Sequence, residues 1–221
     1  LLLQFLRYFL GKVMTLDEIG LEHGTDKAST KNDFLSRYEP FLASKREGPV
    51  KLLEIGVLGG ASIRTWRDYF ENGTIIGADI NPDVAKYADD RIAIEIIDQS
   101  SPTDLEALAS KGPFDVIIDD GSHIWSHQIL TLRKLLPVLK PEGIFIIEDL
   151  DTSHGKYKRE YGSPGHVTAH EYLQRISDWT VGIWVKDRAE IDDDFLIEAA
   201  GTLEFVAFSR GAAILKKKAS R

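Results

Sequence analysis

The chain has 221 residues, 43% hydrophobic and 28% charged, which is enough for one α/β domain with a buried core and short for two. Its formal net charge of −8 argues against a nucleic-acid polyphosphate as the main partner. The absence of cysteine excludes disulfides and thiolate metal centres.

The opening run LLLQFLRYFL is apolar but ten residues long and broken by Arg7. A membrane span needs roughly 20 apolar residues, and the run lacks the basic start and small-residue cleavage site of a secretion signal. It reads as an amphipathic helix able to make a subunit contact, in a cytoplasmic protein with no membrane span and a possible homo-oligomeric state. The sequence starts without Met, so Leu1 is not taken as a native terminus.

In chain order, residues 1–20 read as helical, 21–33 as a polar loop and 34–46 as a helix stopped by Gly48-Pro49. A repeating pattern follows. Strands are expected at 51–55, 74–80, 92–97, 114–118 and 144–147, and helices at 61–70, 102–110 and 127–139. The strands are continuous apolar runs, as expected where helices cover both faces of a parallel sheet. Residues 151–170 break the rhythm and read as a loop over a site, and 172–178 as a helix. Residues 203–208 and 212–216 flank Ser209-Arg210-Gly211 and read as a closing antiparallel hairpin. The expected architecture is a doubly wound, mostly parallel seven-stranded α/β sheet with a terminal antiparallel hairpin. It forms a single domain, with 1–47 as an N-terminal helical segment and loop and 48–221 as the main body.

The segment from Glu54 to Gly60 joins a strand to a helix, and its glycines Gly56, Gly59 and Gly60 permit a sharp turn and a close ligand approach. The spacing is not the G-x-G-x-x-G of dinucleotide sites. Asp79 ends the next strand, where a carboxylate can accept both hydroxyls of a ribose, and Asp98 ends the third, within reach of a base edge. Each alone is ordinary turn chemistry. Three successive strand ends of this kind, on the edge where open α/β sheets bind ligands, favour a nucleoside site.

Asp119-Asp120-Gly121-Ser122-His123 follows the fourth strand, and Glu148-Asp149 ends the fifth. Neighbouring strands lie roughly 5 Å apart, so Asp120, Glu148 and Asp149 are expected to converge. Converging carboxylates need a neutraliser, and a hard divalent cation such as Mg²⁺ suits oxygen ligands. His123 lies three residues after Asp120 and can serve as a general base near neutral pH. A cation that polarises a hydroxyl and a base that takes its proton suit methyl transfer to an alcohol oxygen. Asp119 is expected to bind a cofactor amine or to be structural. His127 is expected at the surface or supporting His123; His154, His166 and His170 are expected in or beside the loop over the site, with solvent exposure as the default; Trp179 and Trp184 are expected in the core.

HGTDK (23–27), LLEIGVLGGAS (52–62), GADI (77–80), DQS (98–100), IIDDGSH (117–123) and IIEDLDTS (146–153) together resemble the metal-dependent sugar O-methyltransferases of macrolide and polyketide biosynthesis. That resemblance implies a class I methyltransferase fold, S-adenosylmethionine and Mg²⁺, and a small-molecule or glycosylated acceptor. It implies Asp120, Glu148 and Asp149 as metal ligands and His123 as the base, with Asp120 also in the catalytic centre. It implies cofactor contacts along the matched motifs: Thr25, Asp26 and Lys27 in a segment closing over the cofactor, then Glu54, Gly56, Gly60, Ser62, Asp79, Asp98, Gln99 and Asp119. The mycinamicin type's large amino-terminal domain has no counterpart in these 221 residues, and 155–200 carries no matched motif. The alternatives are a catechol-type O-methyltransferase, a nicotinamide oxidoreductase, disfavoured by the glycine spacing, and a catalytically silent binding module on the same scaffold.

Overall fold

A computed structural model describes residues 13–162, 165, 167–181 and 193–220. In chain order these form α1 (Leu16–His23), α2 (Leu35–Leu42), β1 (Lys51–Ile55), α3 (Ala61–Tyr69), β2 (Thr74–Asp79), β3 (Ile92–Ile96), α4 (Pro102–Ala109), β4 (Phe114–Asp119), α5 (Trp125–Leu135), β5 (Leu139–Ile147), the short α6 (Lys158–Tyr161), α7 (Ala169–Thr180), α8 (Asp194–Thr202), β6 (Leu203–Ser209) and β7 (Ala212–Lys217). The strands make one seven-stranded sheet in the order β3-β2-β1-β4-β5-β7-β6. The first five are parallel to one another, and β7 is antiparallel to both β5 and β6. This is the doubly wound sheet and terminal hairpin expected from the sequence. The chain winds outward from β1 to β3, then returns to β4 on the other side of β1, so the switch point lies between β1 and β4.

Side chains alternate between sheet faces along a strand, which divides the core in two. Leu53 and Ile55 of β1 and Phe145 and Ile147 of β5 join α4, α5, α7 and α8 on one face. Leu52 of β1, Val116 and Ile118 of β4, and Ile144 and Ile146 of β5 join α1, α2 and α3 on the other. That alternation decides where the carboxylates beyond the strand ends go.

Several boundaries differ from the expected ones. Thr15 and Glu18 form a reciprocal capping box that starts α1 at Leu16, and Gly24, with φ 71°, ends it. The rest of the expected first helix, residues 1–12 with their subunit contact, lies outside the described residues. The helix expected over 34–46 ends at Leu42 and passes into a 3₁₀ turn. The helix expected over 127–139 starts earlier, at Trp125, and gives way at Leu135 to a 3₁₀ turn containing Pro137, whose ring nitrogen cannot donate. β5 is therefore longer than expected, beginning at Leu139. The loop expected over 151–170 contains 3₁₀ turns and α6. A second capping box, Thr168 with Glu171, starts α7 at Ala169. Helix α8, capped by Asp193, was not anticipated, although Leu196, Ala199 and Ala200 bury one face of it. Among the described residues no helix is long and apolar enough to cross a membrane.

Candidate active site

A cavity of 240 Å³ opens at the carboxyl ends of β1 to β4, lined by Ile55, Gly56, Asp79, Ile80, Ile97, Asp98, Gln99, Gly121, Ser122 and His127. Gly56 has φ 95°, and a Cβ there would lie 2.0 Å from the Asp120 carbonyl oxygen. Only glycine permits β1 to turn this close to the chain leaving β4. Asp79 fixes the loop beyond it: Oδ2 accepts the amides of Val57 and Leu58 at 2.8 and 3.1 Å, and Oδ1 accepts that of Asn81 at 2.9 Å. The loop leaves Leu58 85% exposed and Ile80 68% exposed, two apolar side chains at the sheet edge with no protein cover.

At the far wall, the Gln99 amide group donates to Asp119 Oδ1 at 2.7 Å and to the Thr131 hydroxyl at 3.0 Å, and its carbonyl oxygen accepts the Ser122 amide at 2.8 Å. Asp98 is turned to solvent and held below the usual carboxylate range by the Ser100 hydroxyl and amide. Ser122 Oγ and His127 Nδ1 are 2.8 Å apart at the cavity wall, and burial lowers the His127 pKa. His127 was expected at the surface or supporting His123. Its place in the first turn of α5, close after the β4 end, was the available signal.

Beside this cavity lies a second, denser cluster. In the parallel register Ile55 pairs with Asp119, and Asp119 with Ile147. Glu54, Asp120 and Glu148 fall on the parity of Leu52, Ile118 and Ile146, and so face α1, α2 and α3. On that face the α1–α2 connection delivers Lys27, 2% exposed, whose Nζ donates to Asp120 Oδ2, lies 2.6 Å from Glu148 Oε2 and is 3.8 Å from Glu54 Oε1. Burial alone would lower the lysine pKa, but these carboxylates raise it well above its ordinary value. Burial pushes Glu54 up to about 7 against the pull of Lys27 and of the Ser62 hydroxyl, which donates at 2.8 Å. Burial also raises Glu148 well above the carboxylate range and Asp119, on the opposite face, to about 6.

Of the expected cofactor contacts, Thr25, Asp26, Lys27, Glu54, Gly60, Ser62 and Asp119 do not line this cavity. Lys27 does not reach the cavity; it is the counter-ion of the acid ladder. Thr25 is buried beside it, with its hydroxyl 3.4 Å from the Lys27 amide, while Asp26 is exposed and neither lines the cavity. Glu54 and Ser62 bond to each other beneath the glycine loop, and Gly60 caps α3 against Tyr87, so none of the three lines the cavity. Asp119 Oδ1 accepts from Gln99 and the Gly121 amide, while its Oδ2 is buried with no hydrogen-bond partner. Asp120 meets Glu148 on the buried Lys27 ammonium and meets Asp149 beside His123, and Glu148 is not part of the latter group.

Asp149 escapes the strand parity because it adopts a left-handed conformation, φ 54°. His123 is also left-handed, φ 58°, and its Nε2 lies 3.3 Å from Asp149 Oδ2. These two left-handed residues bring the His123 ring and the Asp149 carboxyl to face each other at the strand edge. One ligand atom from each of Asp120, His123 and Asp149 lies within 4.8 Å of the others. Glu148 Oε1 and His123 Nδ1 are buried with no hydrogen-bond partner. Lys27 is set against four carboxyl groups, Glu54, Asp120, Glu148 and Asp149, of which burial favours the protonated form of Glu54, Glu148 and Asp149, and these oxygen donors fit a hard divalent cation. The ring of Tyr161 lies 6.2 Å from that of His123, with Tyr157 6.1 Å further on, a partly exposed aromatic wall on the loop side. His154 and His170 bond at 3.1 Å beside Phe208. Trp179 is partly buried against the core, while His166 and Trp184 lie outside the described residues.

The strand order with its reversed final strand, and the cavity beyond β1 to β4, define a methyltransferase domain of the class I, Rossmann-like type. Residues 53–150 match the family described as "Methyltransferase domain". By sequence the chain is similar to sugar O-methyltransferases of macrolide and polyketide pathways. It is 38% identical over 168 residues to the 8-demethyl-8-alpha-L-rhamnosyl tetracenomycin-C 2'-O-methyltransferase of Streptomyces olivaceus, covering 72% of this chain and 44% of that protein. The MycE methyltransferase of the mycinamycin biosynthetic pathway, solved with Mg and S-adenosylhomocysteine (SAH), superposes with a TM-score of 0.83 at 26% identity, covering 94% of this chain and 54% of that one. A second structure of that enzyme, which also holds mycinamycin VI, gives 0.80 at 26% identity and covers 94% and 56%. The chain thus spans less than half the length of the curated relative it matches.

Proposed function

We propose that this chain is an S-adenosylmethionine-dependent, Mg²⁺-assisted O-methyltransferase that acts on a sugar hydroxyl of a glycosylated natural product, and that it works in the cytoplasm. The observation that carries the reading is adjacency. The cavity lined by Gly56, Asp79, Asp98 and Gln99 shares a wall, Gly121-Ser122, with the Asp120–His123–Asp149 cluster. A relative's complex with Mg, SAH and a macrolide supports the same pairing of cofactor, cation and acceptor.

The cavity's chemistry suits the adenosyl part of the cofactor. Asp79 and Asp98 offer carboxylates for ribose hydroxyls and a base edge, and Ile80 and Ile97 offer an apolar floor. Asp120 and Asp149, with the unpartnered Oε1 of Glu148, would hold the divalent ion, since oxygen donors suit Mg²⁺. When bound, that ion polarises the acceptor hydroxyl. Because Mg²⁺ prefers oxygen, His123 is left to accept the hydroxyl proton, and the imidazolium so formed is stabilised by Asp149, whose Oδ2 lies 3.3 Å from Nε2. The acceptor oxygen forms a bond to the sulfonium methyl carbon as the carbon–sulfur bond breaks. The sulfur keeps that electron pair, the proton stays on His123, and the products are a methyl ether and SAH.

The test is an acceptor screen by mass spectrometry with S-adenosylmethionine and Mg²⁺, comparing deoxysugar-bearing polyketides, their aglycones and catechols. Methylation confined to glycosylated acceptors, and lost with chelator, is expected. Methylation of catechols alone would replace the acceptor assignment, and no turnover with any acceptor would favour a silent binding module.

A further inference from the structure

Lys27 is the least expected member of the site. It is a fully buried ammonium with three hydrogens, surrounded by Asp120, Glu148 and Glu54, one carboxylate from each of three neighbouring strands. Two of those carboxylates, Asp120 and Glu148, belong to the set proposed above to hold the divalent ion. Lys27 bonds only Oε2 of Glu148 and leaves Oε1 buried and unpartnered. One carboxyl therefore presents one oxygen to a fixed cation and keeps the other free.

We propose that Lys27 is a positioning residue that competes with the divalent cation: its ammonium occupies Asp120 and Glu148 when the metal is absent and must release at least Asp120 when the metal binds. The inference rests on the divalent-ion reading given above. Its physical ground is that an ammonium and a divalent ion within a few ångströms of one another repel strongly in a buried site. Lys27 thus keeps the acid ladder folded without metal and sets an upper limit on metal affinity. A lysine that merely supported the fold would loosen the site on removal and weaken metal binding.

The experiment is calorimetric titration of Mn²⁺ into the whole chain as wild type, Lys27→Met and Lys27→Arg, each loaded with SAH. Competition predicts binding about tenfold or more tighter in Lys27→Met, because a repelling charge is gone, and binding no tighter than wild type in Lys27→Arg, which keeps the charge. Should Lys27→Met fail to fold, Lys27→Gln, which keeps a donor without the charge, must show the same tightening. Wild-type binding with no tightening in the neutral variant overturns the competition and leaves the divalent-ion reading standing. No Mn²⁺ binding by wild type or variants overturns both.

Discussion

The two halves of the sheet's carboxyl edge handle acidic side chains in opposite ways. On the β2 and β3 side, Asp79 and Asp98 are hydrogen-bonded by backbone amides and hydroxyls and remain in reach of solvent. These carboxylates shape a loop and present oxygen to a cavity. At the β1, β4 and β5 ends, Glu54, Asp120 and Glu148 stack across adjacent strands onto one ammonium, with buried oxygens left unpartnered. In the first half each carboxylate is satisfied by its own loop. The second is gathered on a single lysine, and burial raises the Glu54 and Glu148 pKa values. The proposed function assigns a nucleoside to the first half and a cation to the second, a division that strand parity allows by sending the ladder to one face and leaving the cavity lining at the tips.

The contrast can be broken most strongly at Lys27. Lys27→Met strands buried carboxylates, and removing one partner of a buried ion pair costs about 3–5 kcal/mol. Urea melts in chelator should show that loss, and a loss below about 1 kcal/mol would mean that the ladder is not held by this charge. Next is Glu54. Its folded pKa, about 7, lies above its ordinary value of 4.5. The folded state therefore binds this proton more tightly, and the stability it brings is full below about pH 4.5 and lost as the pH rises through 7. The shift corresponds to on the order of 3 kcal/mol. Metal-free Glu54→Gln should have a flatter stability profile between pH 5 and 8 than wild type, and unchanged pH dependence would place the titration elsewhere. On the β2 and β3 side, Asp79→Ala frees the Val57 and Leu58 amides and removes a ribose acceptor. SAH affinity should fall about 10- to 100-fold, as expected for lost charged hydrogen bonds, with Mn²⁺ affinity kept. An equal loss of both would merge the two halves into one unit.

Much of this was legible in the sequence. The apolar runs located β1 to β5, and glycines and acids at their ends located the edge on which both clusters lie. The partners were harder to read. Lys27 sits in a polar stretch 27 residues before Glu54 and 121 before Glu148, and nothing local reveals that it is buried. One signal was available: Glu54, Asp120 and Glu148 share the parity of Leu52, Ile118 and Ile146, so their face was determined once the strands were aligned. Asp149 breaks parity through a left-handed turn that no residue type announced. Helix α8 was missed because its small residues, Ala199 and Ala200, carry weak periodicity.

The division of the edge is tested most directly at Asp120, the residue that touches the lysine ladder and belongs to the His123–Asp149 cluster. Calorimetry of Mn²⁺ and, separately, of SAH with wild type and Asp120→Asn should show Mn²⁺ affinity reduced by about 100-fold or more, as expected for loss of a charged ligand, with SAH affinity within about threefold of wild type, because the Asp120 side chain faces Lys27 and does not line the cavity. Unchanged Mn²⁺ affinity, or a parallel loss of both ligands, would contradict it.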